Sequence, residues 1–278
     1  MKPRLRASRH CRRSVARTSQ NEGAYRAIIE KIFFEHYSPG VTEFEFVRRE
    51  IVAAKDLLAP QLDLNPGDVP YSFRYRRALP ELILATQPEG MEWIIEGAGR
   101  AVYRFKLVTY NRVLPRIDLV TINIPDATPE IIRAYALDDE QALLAIVRYN
   151  RLIDIFLGLT TFSLQNHLRT TVRGIGQIEI DEFYLGMDKN GCHYAIPVQA
   201  KGGSDQIGVV QTQQDIAWVA QKFPGMRCRA VSAQFLESQR VAMFELTVQN
   251  DQLLVVDEKH YKLVPASGLD HTAILNYR

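Results

Sequence analysis

Glu179, Asp181, Gln199 and Lys201 are the residues of this chain whose types and spacing could do chemistry. They lie in residues 177–203, QIEIDEFYLGMDKNGCHYAIPVQAKGG, which read as a β-hairpin. An alternating strand is followed by a DKNG turn at 188–191 and a second strand ending in Gln199-Ala200-Lys201. Side chains of a strand alternate faces, so Glu179, Asp181 and Phe183 share one side while Ile178, Ile180 and Glu182 take the other. On the second strand Gln199 and Lys201 share a face, opposite Val198 and Ala200. Register decides which sets meet. A strict two-residue loop at Lys189-Asn190 pairs Asp181 with Val198, whereas one extra loop residue or a bulge pairs it with Gln199. The second register is adopted, and it gathers the four residues in one patch at the end away from the turn. Two acids and a lysine so placed are costly unless a cation or a substrate balances them. Carboxylates and amide or backbone carbonyls suit Mg²⁺, and Lys201 would position a water or steady charge developing on phosphorus. The chemistry so predicted is hydrolysis of a phosphodiester. The competing reading is an exposed hairpin whose charges pair as surface ions.

Asp181 followed on the next strand by Gln199-Ala200-Lys201 resembles the signature of the PD-(D/E)xK nuclease superfamily, in the Mrr-type branch where Gln replaces the first acid of the second motif. The resemblance covers about residues 160–235 and implies a restriction-endonuclease-like core. It implies that Asp181 and Gln199 bind Mg²⁺ (or Mn²⁺ in its place) with help from the Ala200 carbonyl, and that Lys201 serves the nucleophilic water. Two departures stand out. Ile180 occupies the place of the proline before the acid, and the helix expected over 161–172 offers Gln165, Asn166 and His167 but no acid. Either Glu179 takes over the missing ligand role or the site binds one metal weakly.

The elements that must position this patch follow from periodicity and breakers. Tyr25, Ile28, Ile29 and Ile32 predict a helix over 22–36, stopped by Ser38-Pro39-Gly40. Further helices are predicted over 44–58 and 71–85, with Pro80 kinking or splitting the latter. Strands over 91–95 and 101–108, joined by Glu96-Gly97-Ala98-Gly99-Arg100, complete the order of a winged helix over 22–110. Residues 1–21 form a basic leader expected to be disordered, and 111–160 a helical connector with a strand-like run at 117–124. Asp138-Asp139-Glu140-Gln141 opens a helix running to about Leu157. After the hairpin come a helix over 205–223, strands over 227–235 and 241–248, and closing segments over 253–256 and 260–264. Residues 161–278 are thus a mixed-sheet α/β domain, and the whole chain is α+β.

Tyr71, Arg74, Tyr75, Arg76 and Arg77 mix arginines with aromatics where a recognition helix would begin, and Arg100 marks the tip of the wing. Such residues contact phosphates and base edges, which points to double-stranded DNA; a solvated basic face is the alternative. Gln211, Gln214 and Asp215 share one helical face, and Gln211 and Gln214 are candidates for phosphate contact. His167 is read as a core or supporting residue.

The chain has 278 residues, 46% hydrophobic and 24% charged, with net charge +2, the balance of a soluble globular protein. No apolar run approaches the roughly 18 residues of a membrane span. Three widely spaced cysteines, Cys11, Cys192 and Cys228, fit a reducing compartment, so the expected location is the cytoplasm. The expectation is a restriction-type DNA endonuclease acting as a homodimer. The alternatives are a DNA-binding regulator with an inactive nuclease-like domain and a repair nuclease.

Overall fold

The computed structural model describes residues 9–75, 77–109, 113–135, 140–202, 207–236, 240–250, 252–269, 272 and 275. The chain divides into two compact units, one of residues 1–110 with 173–176, the other of 111–172 with 177–278. No described helix is long and apolar enough to cross a membrane.

The first unit opens with α1 (Arg9–His36), followed by β1 (Glu43–Val47), α2 (Arg48–Leu58), α3 (Asp68–Tyr75) and α4 (Glu81–Leu84). The hairpin β2 (Met91–Gly99) and β3 (Val102–Thr109) completes it, and the three strands lie in the order β1-β3-β2. Two expectations are corrected here, and the break expected at Pro80 is present. Arg9 onward is helical rather than a disordered leader, because no proline or glycine interrupts the chain before Gly23. Residues 43–47, EFEFV, are a strand, since their aromatic and acidic residues alternate with period two. The third helix is split by Pro80, which precedes α4.

Phe33 is at the centre of this unit's core. Its ring meets Tyr37 at 5.0 Å, Phe105 at 5.1 Å, Trp93 at 5.3 Å and Phe44 at 5.4 Å between centroids. At the β2–β3 turn the register shifts between Gly97 and Gly99. A Cβ on Gly97 would lie 1.8 Å from the Ile175 carbonyl oxygen. Gly97→Ala must push backbone against backbone, and a loss of about 1–3 kcal/mol is expected in thermal or urea unfolding. An unchanged midpoint would refute the close approach.

The second unit holds β4 (Thr121–Pro125), α5 (Glu130–Tyr135), α6 (Glu140–Tyr149) and α7 (Leu152–Leu157). Next come β5 (Thr160–Val172), β6 (Gly176–Met187), β7 (His193–Lys201) and α8 (Val209–Lys222). The chain closes with β8 (Arg227–Cys228), β9 (Ala230–Leu236), β10 (Arg240–Gln249) and β11 (Gln252–Val264). They form one mixed sheet in the order β4-β11-β10-β9-β7-β6-β5, with β8 beside β7. The pairs β4/β11 and β7/β9 are parallel, so α8 is the crossover between neighbouring strands β7 and β9.

Two corrections bear on the site. The segment expected as a connector is built into this unit: β4 pairs β11, and Leu143, Leu144, Val147, Leu152 and Ile153 of α6 and α7 are core residues. Residues 161–172, expected as a helix, belong to strand β5. Leu164, Leu168 and Val172 follow helical spacing, but threonines at both ends favour the extended chain. The break comes earlier, at Gly158, whose left-handed φ of 65° ends α7. Asp154 of α7 then accepts bonds from the Thr161 backbone N (2.8 Å) and Oγ1 (2.9 Å), anchoring the start of β5.

Candidate active site at the open end of the β6–β7 hairpin

The turn sets the register. Asp188 Oδ1 accepts the backbone N–H groups of Asn190 (2.8 Å) and Cys192 (2.9 Å), and Gly191 takes a φ of 78°. These contacts lower the Asp188 pKa, the Cys192 N–H contributing most. The loop therefore spans Asp188 to Cys192, and the first strand pair beyond it is Met187 with His193. Pairing continues to Glu182 with Val198. One step further in that register Asp181 stands against Gln199, and three steps further Glu179 stands against Lys201.

Beyond Glu182 the ladder is continued by side chains. Asp181 Oδ2 accepts the Ala200 backbone N–H at 2.9 Å, and Gln199 Nε2 donates to the Glu179 carbonyl at 3.3 Å. Backbone N–H and C=O groups at a splaying strand end need partners, and Asp181 accepts from one such N–H while Gln199 donates to one such carbonyl. Asp181 is only 9% exposed, and burial raises its pKa against the opposing pull of the Ala200 N–H and Lys201. Glu182 is on the other face, fully buried, where Arg148 Nε (2.9 Å) and Ser163 Oγ (2.5 Å) donate to it.

Gln199 has both ends of its amide engaged. Its Nε2 also donates to Asp215 Oδ2 at 2.8 Å, and its Oε1 accepts from Gln211 Nε2 at 2.7 Å. Gln211 therefore meets Gln199, and Gln214, 4% exposed, is buried where α8 packs on the sheet. Glu179 is held at the margin: its carboxylate pairs with His167 Nδ1 (3.3 Å) and Arg169 Nε (3.4 Å) of β5. It shares the face of Asp181, but its carboxylate is already engaged by the His167 ring and the Arg169 guanidinium.

Two residues of the site were given no role by sequence reasoning. Lys201 Nζ stands 3.7 Å from Glu140 Oε1, in the first turn of α6. Reading 161–172 as a helix hid this acid, because α6 and α7 are the helices that precede the three-stranded stretch. Asp215 of α8 is 2% exposed, and its pKa is raised well above 3.8, chiefly by burial, with Asp181 adding to it and the Gln199 bond opposing. The only sequence signal for it was the shared face of Gln211, Gln214 and Asp215.

The raised pKa has a defined sign. Unfolded, the Asp215 carboxyl loses its proton near 3.8, whereas the folded chain retains it to higher pH. Its contribution is therefore full below that value and is lost as pH rises through the folded pKa. Asp215→Asn is expected to raise the thermal midpoint relative to wild type, with the gap widening from acid to neutral pH. A gap that narrows over that range would contradict the assignment.

In the first unit, Tyr71 is exposed on α3, Arg74 is half-buried, and Tyr75 ends the helix. Arg76 lies outside the described residues. Arg77 pairs with Glu22 of α1 at 2.7 Å, so its charge is partly balanced. Arg100 is exposed in the turn between β2 and β3. Comparison with known proteins finds no match to this chain among family models, curated proteins or solved structures.

Proposed function

We propose that the protein is a Mg²⁺-dependent DNA endonuclease of restriction type, cutting duplex DNA as a homodimer in the cytoplasm. The observation that carries this reading is the register of the β6–β7 hairpin, which brings Asp181, Gln199 and Lys201 to one splayed strand end. The surrounding order supports it: helices, then β5, β6 and β7, then α8, then β9 parallel to β7, the order of a restriction-endonuclease-like core. The first unit's order, helix, strand, two helices, a short helix and a hairpin with strands β1-β3-β2, matches a winged helix and supports DNA binding through Tyr71, Arg74, Tyr75, Arg76 and Arg100.

The residues present fit a Mg²⁺ that keeps most of its water. Asp181 is a buried carboxylate whose charge is penalised by burial, the state a cation relieves, and the Gln199 amide is tied to the same strand end. Glu179 does not fit as a ligand, because His167 and Arg169 already hold its carboxylate. Asp181 and Gln199 are the residues that would hold such an ion, which would supply Lewis acidity and a water of lowered pKa. Lys201 offers an ammonium, within electrostatic reach of Asp181, to steady charge on the phosphate, and Glu140 restrains it.

A second reading, a DNA-binding regulator with an inactive nuclease-like unit, is favoured by two observations. Among the described residues no three His, Cys, Asp or Glu form a metal-holding group, and Gln211 occupies the Gln199 oxygen. Incubating supercoiled plasmid with the protein and Mg²⁺ separates the two. Nicked or linear product that EDTA suppresses is expected, whereas tight salt-sensitive binding without cleavage of any DNA, methylated or not, would favour the regulator.

A further inference from the structure

The buried carboxyl of Asp215 has no part in the chemistry just described. One of its oxygens, Oδ2, accepts from Gln199 Nε2 at 2.8 Å, and the other, Oδ1, is buried with no hydrogen-bond partner. Leaving a carboxyl oxygen buried and unmatched costs stability, so packing alone does not explain an acid at this point of α8. Its contact with Gln199 has a use. A glutamine amide is directional, its NH₂ end only donating and its oxygen only accepting. Either end could face a ligand, and only the oxygen can hold a cation. Asp215 takes the NH₂ end, while the Gln211 NH₂ donates to the oxygen end at 2.7 Å. A third contact, from Gln199 Nε2 to the Glu179 carbonyl at 3.3 Å, holds the same orientation.

We infer that Asp215 is a positioning residue, which selects the orientation of the Gln199 amide that presents Oε1, rather than the NH₂, to a divalent cation beside Asp181. This rests on the nuclease reading above. Gln211 donates to the same oxygen and fixes it from the other side, leaving its second lone pair for the cation. Groups that orient a ligand without touching the metal commonly change affinity by about 10- to 100-fold when removed.

The test uses Asp215→Leu, which lacks the acceptor, and Asp215→Asn, whose amide oxygen can accept the same bond. Mn²⁺ binding to the full chain is measured by calorimetry, alongside plasmid nicking. The Gln199 side-chain NH₂ cross-peaks, identified by their absence in Gln199→Leu, are followed by NMR in the metal-free protein. The expected result is Mn²⁺ affinity about 10- to 100-fold weaker in Asp215→Leu, close to wild type in Asp215→Asn, with the cross-peaks displaced only in the leucine variant. A folded Asp215→Leu that binds Mn²⁺ as wild type overturns the inference, as does an Asp215→Asn as impaired as the leucine variant. Wild-type protein that neither binds Mn²⁺ nor cuts DNA removes the nuclease reading itself. That failure is told apart because it appears before any substitution at Asp215.

Discussion

Asp181→Asn and Lys201→Met are each expected to reduce plasmid cleavage by about 10²- to 10³-fold or more while leaving DNA affinity unchanged. The two variants fail for different reasons. Asparagine keeps the shape of Asp181 and an oxygen able to accept the Ala200 N–H, so the strand end survives. It removes the charge that would hold a cation, and higher Mg²⁺ or Mn²⁺ should partly restore cleavage. Lys201→Met keeps the stem of a side chain that is only 14% exposed and removes the ammonium facing Glu140. Extra metal should not rescue that variant, because the missing charge belongs to the protein. The measurement is single-turnover nicking at saturating protein, with filter or gel-shift binding on the same DNA. Cleavage surviving both substitutions would sink the site assignment. Loss of binding together with cleavage would instead point to damage of the fold.

Phe33→Ala should destabilise the first unit by about 3–5 kcal/mol. Phe33 is fully buried and its ring touches Tyr37, Phe44, Trp93 and Phe105, so truncation opens a cavity bounded by four rings. Those rings come from the residue just past α1 and from β1, β2 and β3, which no single local shift can bring together. The two tryptophans allow a clean readout, since Trp93 is in the first unit and Trp218 in the second. In a Trp218→Phe background, fluorescence unfolding reports on Trp93 alone. A midpoint shift equivalent to less than about 1 kcal/mol would mean that the core repacks around the loss.

Much of this molecule was legible in residue order, and the failures are instructive. The hairpin, its turn and the face shared by Asp181, Gln199 and Lys201 follow from period-two alternation around Asp188-Lys189-Asn190-Gly191. The register between two open choices also had a local cause, the Asp188 carboxylate binding Asn190 and Cys192, which makes the loop five residues rather than two. Residues 161–172 misled because leucines four apart imitate a helix face, whereas pairing with β6 across the turn at 173–175 holds them extended. That error concealed Glu140, which is 61 positions from Lys201 and adjacent to it only once α6 packs beside β7.

The chain by itself therefore determined where strands and turns fall around the site and which side chains share a face, because both depend on neighbours in sequence. Only the tertiary structure decided what each of those side chains touches. Glu179 is drawn to His167 and Arg169, Gln199 is held between Gln211 and Asp215, and Lys201 meets Glu140. Hydrogen bonds and ion pairs act over a few ångströms, and such distances between remote residues exist only after the sheet and its helices have closed on one another.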